Sequence, residues 1–358
     1  MRRYARVTAG AALLVAATGV MAQTCVPMPP YYDNCSVNGG SSTNGTHNGI
    51  SSSGVSNGQQ QGTIVAPLLV ISNVLGARAG GAPPGGPPGP TSGRVETGLA
   101  GAAQPGRWNG WIAYADSMVD FTYSPLASKG DVYSFVGGLD YRVSDSFTFG
   151  MSLALDRTRI DTRFNNGRLT GNGTNLAPYF AWQINPAWSV DASFGVGSAS
   201  SSTVDNTTPA TGSTRSERYF GAASLNYTRW FGNWEFAGKA TMIQASEDKD
   251  AFTLSNGTII PAAYSRLGQV RLGGQVSYNF ASGFNPYVGL AYVNDYYRNR
   301  QDAVGGNPPP ANDRDGWVAV VGANVFSKGA LSGGVLYQRE RRRELSNDLF
   351  LANIAIRF

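Results

Sequence analysis

The sequence has few of the residues on which catalysis and nucleic-acid binding depend. Charged residues make up 14% of the chain, against about 25% in soluble domains, and His47 is the single histidine. Acid–base chemistry most often uses histidine. The Gly-Val-Ser-Asn-Gly pattern at 54–58 matches a hydrolase nucleophile motif, but it lies in low-complexity sequence and is best interpreted as a chance match. We predict that the chain is not an enzyme, has no catalytic residues and binds no cofactor.

Excess positive charge is confined to the first residues of the chain. Three of the 28 basic residues, Arg2, Arg3 and Arg6, lie within residues 1–22, and the remaining ones nearly balance the 23 acidic residues. A nucleic-acid-binding domain would carry a clustered basic surface. The sequence therefore predicts no nucleic-acid partner.

No apolar run is long enough for a transmembrane helix. The longest begins after a basic start and covers residues 9–20, which is short of the ~20 residues that a membrane anchor needs. It precedes Val20-Met21-Ala22, where small or aliphatic residues fit cleavage after Ala22. We interpret 1–22 as a signal peptide and expect export in a bacterium with two membranes.

Cysteine is also scarce. Cys25 and Cys35 are the only two, and both follow the expected cleavage site, where an oxidising compartment would let them form a disulfide. Lipidation of Cys25 is disfavoured, because Thr24 precedes it without a lipobox. Two cysteines and one histidine are too few for a zinc site, so we predict no metal.

The region before residue 107 has low complexity. Residues 23–90 are rich in serine, glycine and asparagine and then in proline and glycine, which favours a weakly ordered, short passenger-like segment. Residues 91–106 have small side chains and are predicted to be a linker or a helix that threads a pore. Residues 107–358 form the remaining predicted domain.

From residue 107 onward the chain alternates between apolar and polar residues. Residues 265–280 are typical, because Val270, Leu272 and Val276 fall on one face and Arg271 and Gln275 on the other. About twelve such segments reach the 9–11 residues with which a tilted strand crosses a bilayer. They cover approximately 107–123, 130–143, 146–163, 169–184, 188–203, 215–230, 234–247, 265–280, 286–299, 315–326, 330–342 and 347–358.

The connections between these segments alternate in length. Tight turns are predicted at 144–145, 185–187, 231–233, 281–283 and 327–329, and longer loops at 204–214, 248–264 and 301–314. Short periplasmic turns and long outer loops are typical of outer-membrane barrels. The sequence thus predicts an all-β fold, a twelve-stranded antiparallel transmembrane β-barrel preceded by a short low-complexity segment with a helix that could enter the pore.

Aromatic residues beside the short turns indicate which face meets lipid. They resemble an interfacial girdle and comprise Tyr141, Trp182, Trp188, Trp230, Trp234, Tyr278 and Phe280. A soluble barrel or sandwich would instead bury its apolar face, and alternation alone does not distinguish the two. With lipid outside, the predicted lumen-facing residues are Asp140, Arg142, Asp156, Asp191, Glu235, Lys239, Arg271 and Gln275.

The last predicted strand ends in an aromatic residue. Phe350, Ile354, Ile356 and Phe358 share one face of it, and this pattern resembles the assembly signal of outer-membrane proteins. We therefore expect these four residues to be recognised by the barrel-assembly machinery.

Residues 107–358 resemble the autotransporter β-domain of type V secretion. The resemblance rests on Trp108-Asn109-Gly110, on the segment Gly-Leu-Asp-Tyr-Arg-Val-Ser-Asp at 138–145, on the strand number and on Phe358. It implies a cell-surface protein-transport function, in which an outer-membrane translocator barrel helps deliver its own N-terminal passenger. Autotransporter passengers are usually long β-solenoids, whereas residues 23–90 are short and show no solenoid repeat.

Two functions therefore remain open. The first is a translocator with a short passenger, and the alternative is a porin-like channel or structural barrel with a vestigial passenger or plug. In both cases the expected partners are outer-membrane lipids and lipopolysaccharide, the barrel-assembly machinery and periplasmic chaperones, and the protein is expected to be a monomer. The basic run at 339–343, Arg-Glu-Arg-Arg-Arg, is either a contact for lipopolysaccharide phosphates or a solvated loop flank.

Overall fold

A computed structural model describes residues 107–123, 126–207, 209–298, 313–326 and 331–358. The predictions for the signal peptide at 1–22, for the disulfide Cys25–Cys35 and for residues 23–90 and 91–106 lie outside the described residues. In the part of the chain that the structure describes, no helix is long and apolar enough to cross a membrane.

Twelve long strands form a closed antiparallel barrel, which confirms the predicted fold class. They are β1 (Trp108–Phe121), β2 (Ser128–Ser144), β3 (Phe147–Thr162), β4 (Gly167–Gln183), β5 (Trp188–Asp205), β6 (Ala210–Phe231), β7 (Trp234–Lys249), β10 (Ala263–Tyr278), β11 (Phe284–Arg298), β12 (Asp315–Phe326), β13 (Leu331–Arg341) and β14 (Leu345–Arg357). Two short strands, β8 (Phe252–Thr253) and β9 (Ile259–Ile260), form a separate hairpin between β7 and β10, and a 3₁₀ turn covers Arg163–Asn165.

Each barrel strand pairs with its neighbours along the chain, and β1 pairs with β14 to close the sheet. The β1–β14 register runs from Asn109 opposite Arg357 to Phe121 opposite Leu345. A closed sheet leaves no strand edge unpaired, which is the condition for a β structure to exist within lipid.

The loop at 204–214 was predicted wrongly. Strand β5 continues to Asp205 and β6 begins at Ala210, so most of that segment belongs to a long hairpin. The reason is that these residues are polar on both faces, so they lack the alternation that marks a half-buried strand. The loop at 248–264 holds the β8–β9 hairpin, and most of 301–314 lies outside the described residues.

Along the strands, exposed apolar side chains alternate with buried side chains. On β3, for example, Phe149, Met151, Leu153 and Leu155 are exposed, whereas the intervening residues from Gly150 to Asp156 are buried. Of the seven aromatic residues of the predicted girdle, four are exposed, Trp182, Trp188, Trp234 and Phe280, and two are half-buried, Tyr141 and Tyr278. The prediction is wrong at Trp230, which is buried on the opposite face from its neighbour Phe231. Trp230 follows buried Asn226 and Thr228 at alternate positions of β6 and therefore shares their face of the strand. Its closeness in sequence to the turn does not bring it to the outer face.

Candidate functional site

The eight residues predicted to face the lumen all lie on the less exposed row of their strands. Arg142, Lys239 and Gln275 are half-buried. The other five are fully buried, and they are Asp140, Asp156, Asp191, Glu235 and Arg271. These rows alternate with exposed apolar residues along each strand, as the prediction of lumen-facing positions expects, and the assignment of the eight residues to the lumen stays a prediction.

A first buried cluster joins strands β2, β3, β4, β6 and β7. Arg218 Nη1 lies 3.8 Å from Asp156 Oδ2, and Arg218 Nε lies 3.3 Å from Glu247 Oε1. The Asp156 carboxylate also accepts hydrogen bonds from Ser134 Oγ at 2.6 Å and from Asn175 Nδ2. Arg218 and Asp156 belong to strands that do not pair with each other, so their side chains can meet only across the concave face of the sheet.

A second buried cluster joins strands β10, β11 and β13 near the opposite barrel end from the tight turns. Arg271 donates to Glu340 at 2.7 Å and, through Nε, to Gln269 at 2.6 Å. Gln269 in turn donates to Asp295 at 2.8 Å. Two strands separate β10 from β13 in the barrel, so Arg271 and Glu340 also meet across the enclosed face.

Arg342 anchors the connection between β13 and β14 to this second cluster. Its guanidinium donates to Asp295 Oδ2 at 2.6 Å and to Glu340 Oε1 at 2.7 Å. Burial lowers the pKa of Arg342, but these two carboxylates outweigh burial and raise that pKa above its ordinary value. The same connection is held by Asp313, whose carboxylate accepts the backbone N–H groups of Arg343 and Glu344 at 2.8 and 2.7 Å.

A third buried group is aromatic and was not predicted from the sequence. Trp111 Nε1 donates to the Tyr179 hydroxyl at 2.7 Å, and that hydroxyl donates to Asp140 at 3.0 Å. The Tyr179 ring lies directly over Gly150, where an added Cβ would come within 2.5 Å of the ring. Gly150 therefore provides the space for this ring. No sequence spacing predicts the contact, because Trp111, Tyr179 and Asp140 lie on different strands that come together only in the folded barrel.

The residues of the predicted assembly signal lie on the outer face beside the barrel seam. Phe350, Ile354, Ile356 and Phe358 are 45–63% exposed. Phe358 also forms two backbone hydrogen bonds with Trp108, with N···O distances of 3.1 and 3.2 Å. The last residue thus extends the pairing of β14 with β1 as well as presenting its ring outward.

Replacing Phe358 by serine is expected to lower the amount of folded barrel several-fold, because the last residue of the proposed signal is lost. The measurement is the heat-modifiable folded band on a gel of outer membranes. Phe284→Ser is the matched control, since Phe284 is also an exposed ring near the tight-turn end but lies outside the signal. Equal folded amounts in the two variants would contradict the role assigned to Phe358.

A family model described as the autotransporter beta-domain matches residues 110–338. Among solved structures, the translocator domain of autotransporter NalP from Neisseria meningitidis is similar with a TM-score of 0.62 and 14% identity, covering 72% of this chain and 90% of that one. The β domain of the Bordetella autotransporter BrkA is similar with a TM-score of 0.59 and 13% identity, covering 70% and 100%. No curated protein is significantly similar to the chain in sequence.

Proposed function

The chain belongs to the autotransporter β-domain family, and from that membership we propose that this translocator barrel of the bacterial outer membrane carries its own residues 23–90 to the cell surface. The observation that carries the proposal is the family match, which begins in β1 and ends in β13. Passenger delivery is the role of that family, and the proposed cargo is the segment N-terminal to β1.

The position of the strand ends supports this direction of transport. Trp108 and Phe358 pair at the barrel end that carries the tight turns, which corresponds to the periplasmic side in outer-membrane barrels. A segment attached before Trp108 must therefore pass the whole barrel to reach the outside. Residues 80–104 would reach up to ~80 Å if extended, which exceeds a hydrocarbon core of ~30 Å.

The partners follow from the same location. The barrel is proposed to act as a monomer that contacts outer-membrane lipids and lipopolysaccharide, after insertion by the barrel-assembly machinery with periplasmic chaperones. The β-domain family is a translocator family rather than a catalytic one. We extend this to the whole chain and propose that its short passenger is displayed rather than enzymatic, with no cofactor and no nucleic-acid partner.

Surface labelling tests the proposal. Ser41→Cys, in a chain with Cys25 and Cys35 replaced, is expected to react with a membrane-impermeant thiol reagent on intact cells, because residue 41 lies within the proposed passenger. The matched control places a cysteine at Ser282, in the tight turn between β10 and β11, which should react only after the outer membrane is permeabilised.

Labelling of residue 41 only in permeabilised cells would reject display. It would favour the channel or plug alternative, for which conductance of the purified protein with and without residues 23–106 is the next measurement. A plugged channel would conduct more after the deletion, whereas a structural barrel would conduct in neither form.

A further inference from the structure

Two neighbouring arginines interrupt the apolar outer face of strand β3. Its exposed row runs through Phe149, Met151, Leu153 and Leu155 and then continues with Arg157 and Arg159, both exposed. Side chains two residues apart on a strand lie ~7 Å apart on the same face. The two guanidinium groups therefore form a basic pair directly beyond the lipid-facing residues.

The position of this basic pair along the barrel axis corresponds to the edge of a bilayer. From Phe147 at the tight-turn end to Arg157 the strand advances ~33 Å, which at a tilt of ~40° is ~25 Å along the barrel axis. The apolar band of an outer-membrane barrel is ~25 Å tall. Arg157 consequently lies at the level where the outer leaflet changes from acyl chains to headgroups, and Arg159 lies one step further out.

The surrounding side chains leave both arginines able to bind an anion. Among the residues that the structure describes, no carboxylate lies within 4 Å of the charged nitrogens of Arg157 or Arg159, whereas nearby Arg168 contacts Asp161 at 2.6 Å. Tyr133 pairs with Arg157 across the β2–β3 ladder, and Asp131 pairs with Arg159. Exposed Lys129 adds a further cation and pairs with Asp161 across the same ladder.

The basic run at 339–343, which the sequence offered for this role, is divided by the fold. Arg342 points into the buried cluster with Asp295 and Glu340. Arg339 lies 3.5 Å from Asp348, and Arg341 and Arg343 remain exposed. On the outward row of β13, Arg339 is thus ion-paired and Arg341 is the one remaining cation among the described residues. Strand β3 instead presents two exposed arginines in succession.

We propose that Arg157 and Arg159 form a binding site for the phosphate groups of the glycolipid in the outer leaflet, with the acyl chains of that lipid against Leu153 and Leu155. Arginine presents a planar fork of donors that matches a phosphate group in two hydrogen bonds. Exposed Asn172 and Thr170 pair with Arg157 and Arg159 across the β3–β4 ladder and supply polar groups for the adjoining sugar. The site rests on the outer-membrane location of the barrel and not on passenger delivery, so surface labelling at residue 41 can succeed or fail independently of it.

The test uses the full chain folded in detergent and titrated with deep-rough lipopolysaccharide. Binding to the folded state raises the temperature at which the folded gel band is lost, and the midpoint of that titration measures affinity. In Arg157→Gln/Arg159→Gln the midpoint concentration is expected to rise about tenfold or more, because two charge-assisted contacts are removed. Arg107→Gln/Arg229→Gln is the matched control, since both arginines are exposed at the tight-turn end and should leave the midpoint unchanged.

A variant with the opposite expected effect guards against a general loss of folding. Asp131→Asn removes the carboxylate opposite Arg159 and is expected to lower the midpoint concentration several-fold. Lipopolysaccharide stripped of its phosphates should bind no better to the wild type than to the double variant, and inorganic phosphate at equal concentration should not compete. Four results would each overturn the assignment. They are binding of the stripped lipid as tight as that of intact lipopolysaccharide, effective competition by inorganic phosphate, an unchanged midpoint concentration in the double variant, and a midpoint concentration in Asp131→Asn that is not lowered.

Discussion

Glu340→Gln is expected to lower the free energy of unfolding of the barrel by about 3–5 kcal/mol, the cost of removing one partner from a buried ion pair. Glu340 is fully buried and accepts from Arg271 at 2.7 Å and from Arg342 at 2.7 Å. Neutralising it leaves two arginines close together in the enclosed face. Unfolding in urea, followed by tryptophan fluorescence of the protein in lipid vesicles, measures the loss.

Asp348→Asn is the matched control for that experiment. It neutralises the carboxylate of the Arg339–Asp348 pair, whose two side chains are 45% and 24% exposed, so a change of only about 0–1 kcal/mol is expected. The double variant Arg271→Met/Glu340→Met should regain part of the stability lost in Glu340→Gln, because the uncompensated charge is removed with its partner. Equal effects of Glu340→Gln and Asp348→Asn would show that the buried cluster is not a stabilising centre.

Leu272→Arg is expected to destabilise the membrane-inserted barrel by about 2–4 kcal/mol, the range for a cation at the bilayer midplane. Leu272 lies in the middle of β10 and is 61% exposed, and its outward neighbours Val270 and Tyr292 are also exposed. Within lipid such exposure means contact with acyl chains, so a guanidinium there loses its hydration. The same unfolding titration in vesicles provides the measurement.

Gln275→Arg, three residues along the same strand, introduces the same side chain on the face that is predicted to be enclosed. Gln275 pairs with Ala237 on one side and Gly289 on the other, so small neighbours leave space for the longer side chain. We expect a change well below that of Leu272→Arg. If the two variants lose equal stability, or if Gln275→Arg loses more, the assignment of lipid-facing and enclosed faces would be wrong.

The positions of the strands were predictable because the alternation of apolar with polar or small residues marks them. Strand β12 was expected at 315–326 and is found there, and β7 was expected at 234–247 and ends two residues later. In both, an apolar outer row alternates with smaller or polar residues. The signal fades where both faces meet water, and this explains why residues 204–214 were assigned to a loop although β5 and β6 include most of them.

The contents of the enclosed face were less predictable. Alternation indicates which residues share a row, and it groups Arg271 with Gln275, which are buried and half-buried. It carries no information on partners that meet across the barrel, such as Arg271 and Glu340, which are 69 residues apart. It also did not reveal that the basic run at 339–343 turns one arginine inward, because Arg342 follows the strand end and its direction is set by Asp295 and Glu340.

The unequal strand lengths affect how the two sides of the barrel tolerate deletions. Strand β6 has 22 residues and β13 has 11, which at a tilt of ~40° correspond to heights of ~55 Å and ~28 Å. A residue pair removed from the outer tip of the β5–β6 hairpin shortens a wall that already extends beyond the lipid. A single residue removed from β13 would reverse the inward and outward rows within the bilayer itself, because side chains alternate with a period of two. Natural variation in length should therefore accumulate on the tall side of this barrel and be excluded from the short side.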